Sequence, residues 1–190
     1  MTRTRPLLGE PLALDLVNTA WVEQGAWVDF FDDFGGTESW LAEHGLPGDA
    51  EQAREPLVMA RQALRTVLSD RLRTTLSDGE EQPGATSGEG EALLDAVLEH
   101  GSRRPRLRGA QPYEKIVVDH PSWHAAWLAA ADLVRLMGER PERIRKCSNP
   151  ACVLWFYDTS KNGSRRWCSM EACGNRAKSN RFQKRHRSLD

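Results

Sequence analysis

The sequence predicts an α+β fold, with a mainly helical N-terminal domain holding a small β component and a small C-terminal module of hairpin and helix. Three observations carry that prediction. Leu57, Met59, Ala60, Ala63, Leu64, Val67, Leu68, Leu72 and Leu76 recur at helical spacing between about Ala50 and Leu76. The run Tyr113 to Asp119 reads as a strand. All four cysteines of the 190-residue chain fall between Cys147 and Cys173.

Taken in order, Leu12 to Thr19 is an apolar run that periodicity leaves open between a buried strand and a first helix. Trp21, Trp27, Phe30, Phe31 and Phe34 follow it. Thr37, Glu38 and Ser39 predict the cap of a short helix through Trp40, Leu41 and His44, stopped by Gly45 and Pro47. The helix over 50–76 places Arg61, Arg65, Arg71 and Arg73 on or near its wet side. Ser77 to Gly90 is rich in Gly, Pro and Ser and predicts a loop. A short helix resumes over Glu91 to His100. Gly101 to Pro112 is a second breaker-rich stretch, holding Arg103, Arg104, Arg106 and Arg108, and the strand over 113–119 comes after it. Ser122 is the expected cap of a helix to about Met137, ended by Gly138. Glu139 to Arg143 is the expected junction, giving domains at 1–140 and 141–190.

Charge divides at the same point. Residues 141–190 carry twelve Lys/Arg against four Asp/Glu, whereas residues 1–140 carry fourteen against twenty-three. Such asymmetry points to separate partners for the two halves, and a basic module commonly meets nucleic acid. The plain alternative is a solvated basic face. No apolar run reaches the roughly 18–20 residues that span a bilayer, and the expected location is cytoplasmic.

The cysteines read Cys147-x4-Cys152-x15-Cys168-x4-Cys173. Two closely spaced pairs let two turns each present two thiolates to a tetrahedral ion, which points to one closed, structural Zn2+. Clustered cysteines in a reducing compartment favour metal over disulfide. The interval between the pairs predicts a hairpin in which Val153–Tyr157 pairs with Arg165–Trp167 across a turn at Ser160–Gly163. Ser169 is the expected N-cap of a following helix to about Arg187. That helix carries Arg176, Lys178, Arg181, Lys184, Arg185 and Arg187, with no acid after Glu171 until Asp190. A structural helix ordinarily alternates its charges; one that does not is suited to phosphates.

These residues have a resemblance. The segments Cys147-Ser-Asn-Pro-Ala-Cys152, Trp155 to Asn162, Arg165 to Met170 and Cys173-Gly174-Asn175-Arg176-Ala177-Lys178 closely resemble the CGNR zinc-finger family. Leu14-Asp15-Leu16-Val17-Asn18-Thr19 is similar to the opening of the ABATE domain of stress-induced transcription regulators, the N-terminal partner of that finger. The resemblance implies a bacterial DNA-binding regulator. On it, residues 1–140 are the regulatory or self-association part and 141–190 the finger, treble-clef-like in build.

Lys161, Arg165, Arg166, Asn175, Arg176, Lys178, Arg181, Lys184 and Arg185 are the candidate nucleic-acid contacts, with a structural brace as the alternative for Asn175 and Arg176. Gly174 is expected to let the helix pack tightly on the knuckle. Trp155, Phe156 and Trp167 are expected to form the hairpin's small core in preference to stacking on bases. Asp15, Asn18 and Thr19 read either as a small-molecule effector pocket or as a satisfied buried polar cluster. A homodimer through the N-terminal domain is a further expectation. The sequence holds no phosphate-binding glycine loop, no nucleophile elbow and no paired acids at a telling spacing, so an enzyme is not expected. The competing function is an RNA- or protein-binding adaptor, since closed zinc modules serve all three partners.

Overall fold

Leu12–Val17 is a helix, α1, and not a strand. It is apolar on all sides apart from Asp15, and Ala13 to Val17 are all buried, so it sits inside the molecule where a one-sided strand would not fit. Pro11 offers α1 no side-chain cap. The orphan N–H of Ala13 is met instead by the carboxylate of Asp132, 119 residues away, at 3.1 Å. The structure is a computed structural model and describes residues 3–76 and 88–175, with only the backbone of residues 74–76.

After α1 the chain forms a hairpin, β1 (Ala20–Glu23) and β2 (Ala26–Asp29), joined by Gln24 and Gly25, both at positive φ. Two left-handed residues in a two-residue loop match the twist of paired strands. A 3-10 turn over Phe30–Asp32 leads to α2 (Gly36–Glu43). This helix begins earlier than Thr37 and Ser39 predict and takes no side-chain cap. Gly36 decides its start, because a Cβ there would lie 1.9 Å from the Phe30 carbonyl oxygen.

The predicted long helix is α3, Ala50–Leu76. At about 1.5 Å per residue it runs roughly 40 Å, and Asp49 caps it by accepting from the Gln52 N–H at 3.0 Å. Leu57, Ala60, Ala63, Leu64, Val67 and Leu68 are buried as their spacing predicts, whereas Met59 faces solvent. Two arginines correct the prediction of a wet side. Arg61 is buried, forming a two-pronged ion pair with Asp29 and donating to Thr19 Oγ1 at 2.9 Å. Arg65 donates to the carbonyls of Val17 and Ala20, while burial and the neighbouring Arg61 charge lower its pKa to about 10. Arg65 ties α3 to buried carbonyls at the end of α1 and the start of β1, and Arg61 ties it to the Thr19 and Asp29 side chains, needs that apolar periodicity does not reveal.

The helix expected over 91–100 is α4, Glu89–Leu98. The stretch 101–112, expected to be irregular, is mostly a strand: β3 (Gly101–Arg108) pairs antiparallel with β4 (Gln111–Val118) through Gly109 and Ala110, again both at positive φ. Its base is anchored where Gly101 lies flat against the Trp127 ring and where His100 stacks on Trp123 at 3.5 Å. The next helix, α5, is His124–Glu139, entered through a 3-10 turn over Pro121–Trp123. Ser122 is inside that turn and is not the cap; the His120 ring accepts from the Ser122 N–H.

The last sheet pairs β5 (Ile144–Lys146) with β6 (Trp155–Tyr157). This corrects the predicted hairpin. The partner of 155–157 lies before it in sequence, and the first cysteine pair sits in the connecting loop. Trp155 and Phe156 are buried in the same apolar core as α1, α3 and α5, which is therefore continuous between the two halves of the chain.

Candidate metal centre

The first thiolate pair is shaped by backbone bonds that extend the β5–β6 ladder. The Cys147 N–H donates to the Leu154 carbonyl at 3.0 Å, and the Cys152 N–H donates to the Asn149 carbonyl at 2.9 Å, turning the chain back on itself. Asn149 holds both pairs together: its Oδ1 accepts from the Ala151 N–H at 3.2 Å and its Nδ2 donates to Cys173 Sγ at 3.3 Å. The second pair is hung on the first. The Ser148 N–H donates to the Arg166 carbonyl at 2.9 Å, and the Cys168 N–H points at Cys147 Sγ at 3.5 Å. Ser169 caps the following turn as predicted, its Oγ accepting from the Ala172 N–H at 3.0 Å. That turn, Met170–Gly174, is a wide π-type turn that delivers Cys173. Gly174 is buried, and a Cβ there would meet the flexible end of the exposed Met170 side chain at 2.6 Å and the Trp167 ring at 3.4 Å, so only a small shift of Met170 would be needed to admit one.

The four Sγ atoms all lie within 4.8 Å of one another. Cys152 and Cys168 Sγ are 3.8 Å apart, and tetrahedral zinc with Zn–S bonds of about 2.3 Å sets its sulfurs about 3.8 Å apart. The donor chemistry agrees. Without a cation, hydrogen bonds from Cys152 and Cys168 hold the Cys147 thiol far below its usual value, while the same contacts push Cys152 and Cys168 upward. Thiols this close cannot all ionise unless a central charge is supplied. The N–H donors from Asn149 and Cys168 are the outer contacts that thiolate ligands take. Four soft ligands fill a tetrahedral ion, and the site is structural.

The knuckle is fastened to the helical half by two polar residues. Asn18, fully buried, donates from Nδ2 to the Trp155 carbonyl at 2.8 Å and accepts the Trp155 N–H at 3.0 Å. Glu10 accepts from the Tyr157 N–H at 2.7 Å and pairs with Arg165 at 3.3 Å. Burial holds the Glu10 carboxyl above its usual range against the pull of Tyr157 and Arg165. Inside the module, buried Asp158 accepts from the Ser160 N–H, the Ser160 hydroxyl and the Arg165 N–H at 2.9, 2.6 and 2.9 Å. Sequence reasoning missed Glu10 and Asp158 as structural ties. For Asp158 the signal was available in Asp-x-Ser, a local turn motif; for Glu10 no local signal exists.

Asp15, Asn18 and Thr19, read as a pocket or a satisfied polar cluster, are all buried against polar partners; among the described residues, Asp15 Oδ2 and Arg5 Nε are left without a hydrogen bond. Asp15 Oδ1 accepts from Trp40 Nε1 at 2.8 Å, meets His44 at 3.0 Å and pairs with buried Arg5. Thr19 donates to the Leu16 carbonyl at 2.7 Å, and Asn18 is committed to Trp155. A cavity of about 370 Å3 lies elsewhere, between β1 and the knuckle, lined by Trp21, Glu23, Gln24, Cys152, Leu154 and Cys168 among others.

The nucleic-acid candidates separate. Lys161 and Arg166 are exposed, with Arg166 lying over the Trp167 ring at 5.5 Å. Arg165 is not a free surface cation. Its guanidinium lies 4.3 Å from the Phe156 ring centre and donates to the carbonyls of Trp167 and Cys168, so it braces the second cysteine pair. Asn175 is exposed, and its N–H donates to the Met170 carbonyl. Arg176, Lys178, Arg181, Lys184 and Arg185 lie outside the described residues. Among the described residues, no helix is long and apolar enough to cross a membrane.

Comparison with known families agrees with this arrangement. The profile of the CGNR zinc finger matches residues 143–186, and the profile of ABATE, described as "Putative stress-induced transcription regulator", matches residues 10–140. A search of the curated proteins finds no match. With the second profile covering well over half of its length, the chain belongs to the ABATE family, and the zinc finger behind that segment has Cys147, Cys152, Cys168 and Cys173 as its metal ligands.

Proposed function

We propose that the protein is a zinc-dependent, DNA-binding transcription regulator. The observation that carries this reading is the closed four-cysteine knuckle, which holds the exposed Lys161 and Arg166 on one small module, in a chain whose sequence turns strongly cationic after Asn175. A closed zinc site offers no open position for catalysis, so the metal supplies shape. The segment from Arg176 to Arg187 carries six cations and no acid, a composition that binds phosphate backbone by counterion release.

The test is fluorescence anisotropy of the full chain with a random-sequence duplex, titrated across salt. Binding should weaken by orders of magnitude between about 50 and 200 mM salt. Arg166→Ala and Arg176→Ala should each weaken it with zinc content unchanged. Binding no tighter than that of a generic basic peptide sinks the reading, and preferential capture of single-stranded RNA replaces it with the adaptor role.

The helical half is proposed to sense a signal. The support is the cavity between β1 and the knuckle, because an occupant there would touch Trp21 and Glu23 on one side and the ligands Cys152 and Cys168 on the other. A metabolite thermal-shift screen tests this, with Glu23→Ala removing the response of any hit. A hit whose shift survives that change binds elsewhere.

A further inference from the structure

The β3–β4 hairpin is a two-stranded ribbon with one face of uniform charge. Directly paired residues of an antiparallel ribbon project to the same side. The register therefore puts Arg104 with Lys115, Arg106 with Tyr113 and Arg108 with Gln111 on one face. All six are exposed. That face carries four cations and no acid. The opposite face carries the ribbon's only carboxylate, Glu114, which pairs with Arg103 at 3.2 Å, and Arg103 also lies over Trp127 in the body of the protein at 5.9 Å. Among the described residues, Arg104, Arg106, Arg108 and Lys115 form no ion pair.

Guarding an exposed strand edge does not explain this distribution. Charges of either sign on either face serve that purpose, as does Pro105, and Arg103 with Glu114 already supplies both signs. Arg104 and Lys115 are directly opposite one another, and like charges in that position destabilise a ribbon. An anion lying along the face would relieve the repulsion. The three arginines repeat every second residue, about 6.8 Å, two strand rises, which equals about two nucleotides of axial rise along one DNA strand. Tyr113, with Arg108 5.1 Å over its ring, adds an aromatic surface among the cations. A two-stranded ribbon fits the major groove, about 12 Å wide.

We propose that the Arg104–Arg106–Arg108–Lys115 face of the β3–β4 ribbon is a second duplex-DNA contact, in the helical half of the chain and separate from the zinc finger. This inference rests on the DNA-binding reading above. The ribbon is anchored at the start of α5 and the zinc module follows its end. Sixteen residues of helix, about 24 Å, separate the two. Two contacts on one rigid spacer would hold the duplex at two points and raise avidity without new contacts at either.

The test compares the full-length wild type with Arg104→Gln/Arg106→Gln/Arg108→Gln, by anisotropy on a random-sequence duplex longer than two helical turns, across salt. The triple variant should bind about tenfold or more weakly near physiological salt, with a log–log salt slope shallower by about 2.7, three phosphate contacts at about 0.9 each. Arg103→Gln, on the other face, should leave the slope unchanged. The charge-preserving Arg104→Lys/Arg106→Lys/Arg108→Lys should bind nearly as wild type, and the single Arg106→Gln, with a slope shallower by about 0.9, carries the test should the triple glutamine variant fail to fold, an unchanged slope there overturning the inference. A wild type that binds no duplex overturns the parent reading and this one together. A wild type that binds, matched in affinity and slope by a folded glutamine variant, overturns this inference alone. So does a lysine variant that loses binding while folded, and so does a glutamine variant whose only change is in oligomeric state, which would assign the face to a second copy's acidic surface.

Discussion

The carboxamide of Asn18 takes up both main-chain groups of Trp155, 137 residues away, accepting its N–H at 3.0 Å and donating to its carbonyl at 2.8 Å. One side chain thus stands in for a neighbouring strand along the free edge of β6, and it does so with no access to water. Asn18→Ala leaves two buried peptide groups without partners, at about 1–3 kcal/mol each. Urea denaturation should show a loss of about 2–4 kcal/mol, and zinc should pass to a colorimetric chelator faster than from the wild type. Unchanged zinc release would show that the tie does not reach the knuckle.

Asp15 gives a pH signature. Burial alone would raise its pKa, but the hydrogen bond from His44 and the charge and hydrogen bond of Arg5 outweigh it and hold the group below the usual 3.8. A depressed carboxylate contributes stability that is fully present above its unfolded value and lost as pH falls through the folded one. Asp15→Asn should cost about 2 kcal/mol near pH 7, because it takes from buried Arg5 one of its two carboxylate partners and leaves only Glu43. The gap to wild type should narrow below about pH 4. Thermal melts over a pH series check this; a gap that is constant with pH would assign the loss to packing.

Arg165 and Arg166 are adjacent and should behave oppositely. Arg165→Ala removes the contact with the Phe156 ring and the donors to the Trp167 and Cys168 carbonyls, so it should lower stability by about 2 kcal/mol and loosen zinc. Arg166→Ala should leave both unchanged and weaken only DNA binding. Mass spectrometry of bound zinc and a thermal melt on each variant separate brace from contact.

Removal of the metal should act on the whole chain. Trp155 and Phe156 share the core of α1 and α3, so Cys152→Ser or a chelator should shift one unfolding transition downward and should not delete a small separate one. Structural zinc stabilises its module by several kcal/mol at least, and at about 2–4 °C per kcal/mol the midpoint should fall by roughly 10 °C or more. Calorimetry that shows an N-terminal transition untouched by metal removal would contradict the continuous core.

What the sequence made legible was whatever repeats or clusters locally. The apolar spacing of α3, the four cysteines and the Ser169 cap stand where their patterns put them. Partner choice over distance was not legible. Trp155–Tyr157 could pair with the segment before it or after it, and the turn signals at Ser160–Gly163 favoured the second. That turn forms, with the Gly163 N–H on the Ser160 carbonyl, but Asp158 gathers its donors inward and turns the chain off the sheet. Arg61 and Arg65 read as solvent-facing because their partners, Thr19, Asp29, Val17 and Ala20, are supplied from more than thirty residues upstream. The ribbon at 101–118 was half hidden because Gly101, Pro105, Gly109 and Pro112 imitate a loop.

The grip of Asn18 on β6 limits how such proteins can be recombined. A finger transplanted onto another scaffold would arrive with the outer edge of Trp155 bare and the Phe156 face wet, and would be insoluble or molten even when loaded with metal. A working chimaera must inherit helix α1 and the Glu10 loop along with the cysteines, so the heritable unit is larger than the stretch that holds the ion.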